Sequence, residues 1–475
     1  MQLFSYTGTM SSTYPYTICW LVFLWVGFSI DLYGQASFSK TYPSIEDTHG
    51  KDVIQTSDGG YLIVGDSAKW ASGNTDIYLI KTDETGELEW TKTLGWWEYA
   101  DFVNSVIPTL DGGYLIGGGV GFPGITYGSL YKLDSLYNVE WSRDTIRGIG
   151  GNSVSDMVQL PDSNYLITGS MIAAGAIVYK MDTEGQDIWR KYYSPSRGIV
   201  NIEMLPDSNY IMLGVKSSGS GNVILWKIDS EGNLIWEDNY GTSYNEDSRE
   251  FCITSDSCIA ITGYAAHEGS PTEYDVFLMK ISFEGDSLWT KYYGDPTNND
   301  EGVEIIELPN KELLVYSEVV FGMITKFSSD GDSLWSTQIN KTDAGGMCLN
   351  NDSNIVLTGS LIVIGVDPEP NPAFLIVTDS LCEFEQLYNS LGEITDQGNG
   401  LSTYPNPFST SVVFQLPENG DYSLRLYDIN GREVQRYYFS NSYFELHRNG
   451  LPSGMYFYQL ENNSGELFRG KIVAQ

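Results

Sequence analysis

The sequence predicts an all-β chain: a seven-bladed β-propeller followed by a small immunoglobulin-like β-sandwich. Three observations carry this. A self-similar unit of about 49 residues recurs seven times. The composition is rich in Gly (50) and Tyr (33), as strands joined by tight turns require. The unit then vanishes after a polar, Gly-containing stretch at residues 387–400.

The unit begins with a turn and an apolar run. Asp58-Gly59-Gly60-Tyr61-Leu62-Ile63-Val64-Gly65 recurs from Asp111, Asp162 and Asp207, with weaker copies from Asp256, Asn310 and Asp352. Asp-Gly-Gly and Asp-Ser-Asn tolerate positive φ and close a hairpin, and the apolar run reads as a buried strand. Asp76–Lys81 is a third strand and Glu84-Thr85-Gly86 a second turn. A fourth strand carries Trp90, which recurs as Trp141, Trp189, Trp236, Trp289 and Trp335. Gly stands four residues before five of these six; the exception is Trp141, preceded by Asn138 at a closer spacing. Four antiparallel strands that cannot bury both faces alone must stack in a ring, with the Trp packed between neighbours. Phe38-Ser39-Lys40-Thr41-Tyr42 resembles a fourth strand, whereas the seventh unit has none with a Trp. The N-terminal strand is therefore expected to complete the seventh blade. The pattern over residues 37–385 resembles a family of secreted propeller repeats, which implies a scaffold rather than an activity.

The expected domains are a signal peptide over 1–36, the propeller over 37–386, a linker over 387–400 and a second β domain over 401–475. Ile18–Ile30 is an apolar run too short to span a bilayer comfortably, and Gly34-Gln35-Ala36 supplies small residues for a cut; an uncleaved membrane anchor is the alternative. No Lys or Arg precedes that run, a departure from the usual pattern. After residue 400, six strand-like segments from Val412 to Ala474 alternate with turns such as Glu418-Asn419-Gly420. Four landmarks stand in order: Tyr404-Pro405-Asn406-Pro407-Phe408, a segment containing Asp428, Gly431 and Arg432, one containing Gly454 and Tyr456, and Lys471 near the terminus. This stretch resembles the type A C-terminal sorting domain of the type IX secretion system. The resemblance implies the secretion machinery as a partner, then removal of the domain, with outer-membrane surface attachment or release.

Net charge is −36. Residues 401–475 hold 6 Lys+Arg against 7 Asp+Glu, so the first 400 hold 20 against 55. That field repels nucleic acid and suits cations or neutral and basic partners. With three His residues and no CxxC spacing, no metal site is expected, and no catalytic residue stands out. Cys252 and Cys258 flank a short turn and are candidates for a cross-strand disulfide; Cys348 and Cys382 have only each other. Asn298-Asn299-Asp300-Glu301 and Asn245-Glu246-Asp247 offer oxygens for structural calcium, but without loop-motif spacing, so solvated turns are the plainer reading. The Asp…Gly…Trp element resembles the docking motif of quinoprotein propellers and the Asp-box of sialidases, but its spacing departs from both. The leading expectation is a non-catalytic propeller binding an extracellular glycan or protein through aromatics on its loop face: Trp70, Trp96, Trp97, Tyr99, Tyr127 and Tyr264. The alternative is a polysaccharide hydrolase or lyase.

Overall fold

The computed structural model describes residues 37–379 and 402–474, apart from 43–45, 69–74, 96–98, 124, 151–152, 172–174, 194–195, 217–222, 242–245, 268–269, 295–298, 319–321, 340–341, 363–370, 405–407, 409, 417–419, 428–432, 449–450, 453 and 463–466. The segments expected as signal peptide and linker, and Cys19 and Cys382, lie outside these residues. All regular structure among them is β.

Seven four-stranded antiparallel sheets follow one another. Six are built from consecutive strands, beginning with Asp47–Gln55, Tyr61–Ala68, Thr75–Thr82 and Leu88–Leu94. The seventh takes Thr342–Leu349, Ile355–Leu361 and Ala373–Thr378, and is completed by Phe38–Tyr42 from the other end of the chain. The expected closure is therefore present. First strands of successive blades adjoin one another, and the strand from Asp47 also adjoins the one from Thr342, so the hub is a closed ring. Each first hairpin turn holds one residue at positive φ: Gly59, Gly112, Ser163, Ser208, Ser257, Lys311 and Ser353. Gly is the cheapest residue there, and the Asp or Asn before it caps the turn.

The recurrent Trp joins one blade to the next. A Cβ on Gly185 would lie 2.9 Å from Trp141, one on Gly232 2.5 Å from Trp189, and one on Gly331 2.6 Å from Trp289. Each Gly occupies the second turn of the following blade at positive φ, where absence of a side chain lets the indole lie on the backbone. Tyr137 holds that place in blade 2 at φ 64°, and Trp90 meets its ring edge-on at 4.9 Å. Phe38 substitutes for the Trp at the closing seam, 2.2 Å from a Cβ placed on Gly86. The hydroxyls of Tyr42, Tyr193 and Tyr240 donate to the carbonyls of Gly86, Gly232 and Gly285 at 3.0, 2.7 and 2.7 Å.

A second repeated tie runs inside each of the first six blades; the seventh has Val377 at the Lys position. The ammonium groups of Lys81, Lys132, Lys180, Lys227 and Lys280 reach the turn carboxylates of Asp58, Asp111, Asp162, Asp207 and Asp256 at 2.7–3.4 Å, and Lys326 reaches Glu312 at 3.1 Å. Lys81 is fully buried, which is tolerable because Glu89 and the Thr82 carbonyl complete its hydrogen bonds. The turn Asp is thus more than the turn former that the sequence suggests.

The Cys252–Cys258 disulfide does not form: Cys252, Cys258 and Cys348 are free thiols. Register explains it. Thr254 pairs with Cys258, which sets Cys252 opposite Ala260 instead.

The C-terminal domain is a two-sheet sandwich. Ser402–Tyr404, Ser411–Gln415 and Tyr443–His447 form one sheet; Glu433–Phe439, Tyr422–Tyr427, Gly454–Asn462 and Leu467–Ala474 form the other. Alternate residues Tyr422, Leu424 and Leu426 turn inward onto Phe414, Tyr458 and Leu460. Of the landmark residues, Phe408 and Tyr456 are core, and the Tyr456 hydroxyl donates to the Pro452 carbonyl at 2.9 Å. Tyr404 and Lys471 stand on strands, and Gly454 opens one. Pro405, Asn406, Pro407, Asp428, Gly431 and Arg432 lie outside the described residues.

Candidate functional site: the hub channel and its mouth

Every first strand carries a β-bulge, at Gly50/Asp52, Val103/Ser105, Val154/Met157, Ile199/Asn201, Ser248/Glu250, Gly302/Glu304 and Ala344/Met347. A bulge bends the strand and re-aims the side chain beside it. Around the ring, the aligned positions are Asp52, Ser105, Asp156, Asn201, Glu250, Glu304 and Gly346. One turn deeper along the strands, Glu203, Cys252, Ile306 and Cys348 share a level. All of these except Gly346 line a channel of about 500 Å³.

Four of the channel carboxylates are fixed across blade boundaries. Asp52 accepts from the Val106 N–H of the next blade at 2.8 Å. Asp156 accepts from Ser105 Oγ at 2.9 Å and from the Ile202 N–H at 3.0 Å, one partner in each flanking blade. Glu250 accepts from Asn201 Nδ2 and from its neighbour Phe251 N–H at 2.8 Å. Glu203 accepts from the Ile253 N–H. Burial raises all of them against these hydrogen bonds: Asp52 and Glu203 to about 7, with Asp156 also raised. Glu250 and Glu304 are pushed well above the usual carboxylate range, first by burial and then by neighbouring carboxylates. Burial also raises the Cys252 and Cys348 thiols, which makes them poor nucleophiles.

The mouth opens on the face where loops between blades meet loops between second and third strands; there the Thr48 N–H donates to the Asn371 carbonyl at 2.8 Å. A recess of about 430 Å³ is lined by His49, Lys51, Arg249, Glu301, Glu318 and Asp343, among others. His49 Nδ1 lies 3.4 Å from Asp343, and burial lowers its pKa to about 4, so the ring is neutral near pH 7. Glu318, at the exposed end of its strand, is raised to about 7 by partial desolvation and by a hydrogen bond shared with Asp343.

Three of the six expected aromatics are among the described residues. Tyr99 and Tyr127 flank Phe122 in blade 2, at ring distances of 4.2 and 5.7 Å. Tyr264 is apart from them in blade 5. Its hydroxyl donates to Asp247 at 3.1 Å, its edge meets Tyr274 at 4.9 Å, and the Arg249 guanidinium lies 5.4 Å over its ring. All three thus pack against neighbours. Trp70, Trp96 and Trp97 lie outside the described residues. Of the oxygens considered for calcium, Asn299 Oδ1 accepts from the Tyr274 N–H at 3.2 Å and Glu301 pairs with Arg249. Asn245 and Asn298 lie outside the described residues, among which no three His, Cys, Asp or Glu side chains are placed to hold one metal ion.

The hub carboxylates escaped the sequence reading. The available signal was positional: Asp52, Asp156, Glu250 and Glu304 each stand nine residues before the buried residue at or just after the start of the second strand, Tyr61, Tyr165, Ile259 and Leu313.

Residues 402–475 match the secretion system C-terminal sorting domain family. The chain therefore carries a type IX sorting domain, which implies interaction with that secretion machinery and a secreted or cell-surface protein. No curated protein matches the chain in sequence. Among solved structures, it is similar to the extracellular domain of a putative one-component system from B. thetaiotaomicron, at 12% identity and TM-score 0.44. That match covers 92% of this chain but only 60% of the other. A protein of unknown function from Bacteroides caccae matches at 14% identity and TM-score 0.37, over 62% of this chain and 94% of that one. The Pan2 WD40 domain of Neurospora crassa matches at 10% identity and TM-score 0.48, over 72% and 94%.

Proposed function

We propose that this chain is a non-catalytic propeller, exported with a signal peptide over residues 1–36 and presented outside the cell, that binds an extracellular glycan or protein on the face where the hub channel opens. The sorting domain is then removed, leaving the propeller attached to the outer-membrane surface or released. The observation that carries this is the channel itself, a lined cavity at the centre of a rigid exported scaffold. Its carboxylates Asp52, Asp156, Glu203 and Glu250 are engaged in holding blades together, which suits a recognition surface better than acid–base turnover. The test is binding of the exported chain to glycan and extracellular-protein arrays. Saturable binding without product is expected; absence of any saturable ligand overturns the proposal.

One observation favours a second reading, a polysaccharide hydrolase or lyase. Glu318, poised near neutrality against Asp343 at the mouth, has the protonation of a general acid. Release of product from a glycan, abolished by Glu318→Gln, would establish it in place of the first.

A further inference from the structure

We infer that the hub channel is a binding site for an organic cation, an ammonium or guanidinium group presented by a polyamine or by a Lys or Arg side chain of a bound protein. This rests on the proposed binding function and names its ligand class and its site.

The channel holds acceptors that the protein does not match with donors. Glu304 faces the channel among Glu250, Asp52 and Asp156, and no hydrogen bond to it is found among the described residues. Asn201 gives its Nδ2 to Glu250, while its Oδ1 is buried without a donor. The guanidinium of Arg249, next to Glu250 in sequence, is taken up by Glu301 and lies over Tyr264. Asn201 Oδ1 is an acceptor buried without a donor, which costs free energy, and the half-buried Glu304 carboxylate is open to the donors of a ligand rich in N–H groups.

Geometry decides between a metal and an organic cation. The carboxylates come from separate blades and are clipped to separate backbone N–H groups, and no three are placed to hold one ion. Calcium needs six to eight oxygens around a point. A guanidinium or polyamine instead spreads its charge and donors over several ångströms, as the ring of carboxylates does, and about 500 Å³ accommodates it. The surrounding net charge of −36 would draw such ligands in.

The test is calorimetric titration of the exported chain at pH 8 with spermine, with an Arg-rich peptide and with CaCl2. One saturable site for spermine or the peptide is expected, weakened at least ten-fold by Glu304→Gln and abolished by Glu304→Lys. Binding of the peptide alone assigns the cation to a protein partner, and binding of spermine alone assigns it to a free amine. No binding of either, unchanged affinity in folded Glu304→Lys, or displacement of both by stoichiometric calcium overturns the inference. Array ligands retained in Glu304→Lys would leave the proposed function standing and remove only this site.

Discussion

The rim and the hub of the propeller obey different rules. At the rim, the same contact is made again and again: an indole on a side-chain-free turn, and a Tyr hydroxyl on that turn's carbonyl. At the hub, equivalent positions carry Asp52, Ser105, Asp156, Asn201, Glu250, Glu304 and Gly346, and no single residue type prevails. Where every copy must fit the next, shape dictates the residue. Where side chains point into a shared cavity, the blade leaves the choice open, and burial there creates carboxylates that are strained electrostatically rather than sterically.

The largest test of this contrast removes the rim contact at the seam. Without residues 37–42 the strand Ala373–Thr378 loses its outer partner and keeps only Ile355–Leu361, and Gly86 loses Phe38. Deletion is expected to abolish the single cooperative melt, and Phe38→Ala to cost about 3 kcal/mol by denaturant titration. An unchanged melt for the deletion would refute closure through the N-terminal strand.

A smaller effect separates glycines needed for space from those needed only for φ. Gly232 has φ +70° and would place a Cβ 2.5 Å from Trp189, whereas Gly112 has φ +82° and its nearest neighbour is 3.9 Å away. Gly232→Ala is expected to cost about 2–4 kcal/mol and Gly112→Ala about 1 kcal/mol, measured by chemical denaturation. Equal costs would remove the inter-blade role given to the Trp.

The last effect belongs to the hub and appears only with pH. Asp52 and Glu203 bind protons up to about pH 7 when folded, but only to about pH 4 when unfolded. The native state therefore holds more protons between those values, and stability falls as pH rises from about 4 to 7. Glu304→Gln, which removes one more raised carboxyl, should lift the melting temperature at pH 8 and leave it unchanged at pH 4. A lift at pH 4 as large as that at pH 8 would contradict the electrostatic account.

Much of the rim was legible because its residues are local. Asp58-Gly59-Gly60 closes a turn by its own φ preferences, and Trp90 announces a strand wherever it recurs. The tie between Asp58 and Lys81 was invisible, though both residues belong to the repeat, since only the pairing of Leu62 with Lys81 brings the ammonium over the turn. The aromatic site was less legible still. Tyr99 and Tyr127 read as exposed rings along the chain, and Phe122, which carries no such signal, is what joins them.

By itself the sequence determined the number of blades, the strand that closes the ring and the sorting domain, because each follows from short-range patterns repeated or strung in order along the chain. Only the tertiary structure decided that Cys252 faces Ala260 and remains a thiol, and that carboxylates from different blades crowd one channel. Those outcomes depend on register and on closure of the ring, which bring together residues some 50 to 250 positions apart such as Asp52, Ser105 and Glu304. Proximity of that kind has no local signature, yet it sets the desolvation and repulsion that make the hub chemically different from the rim.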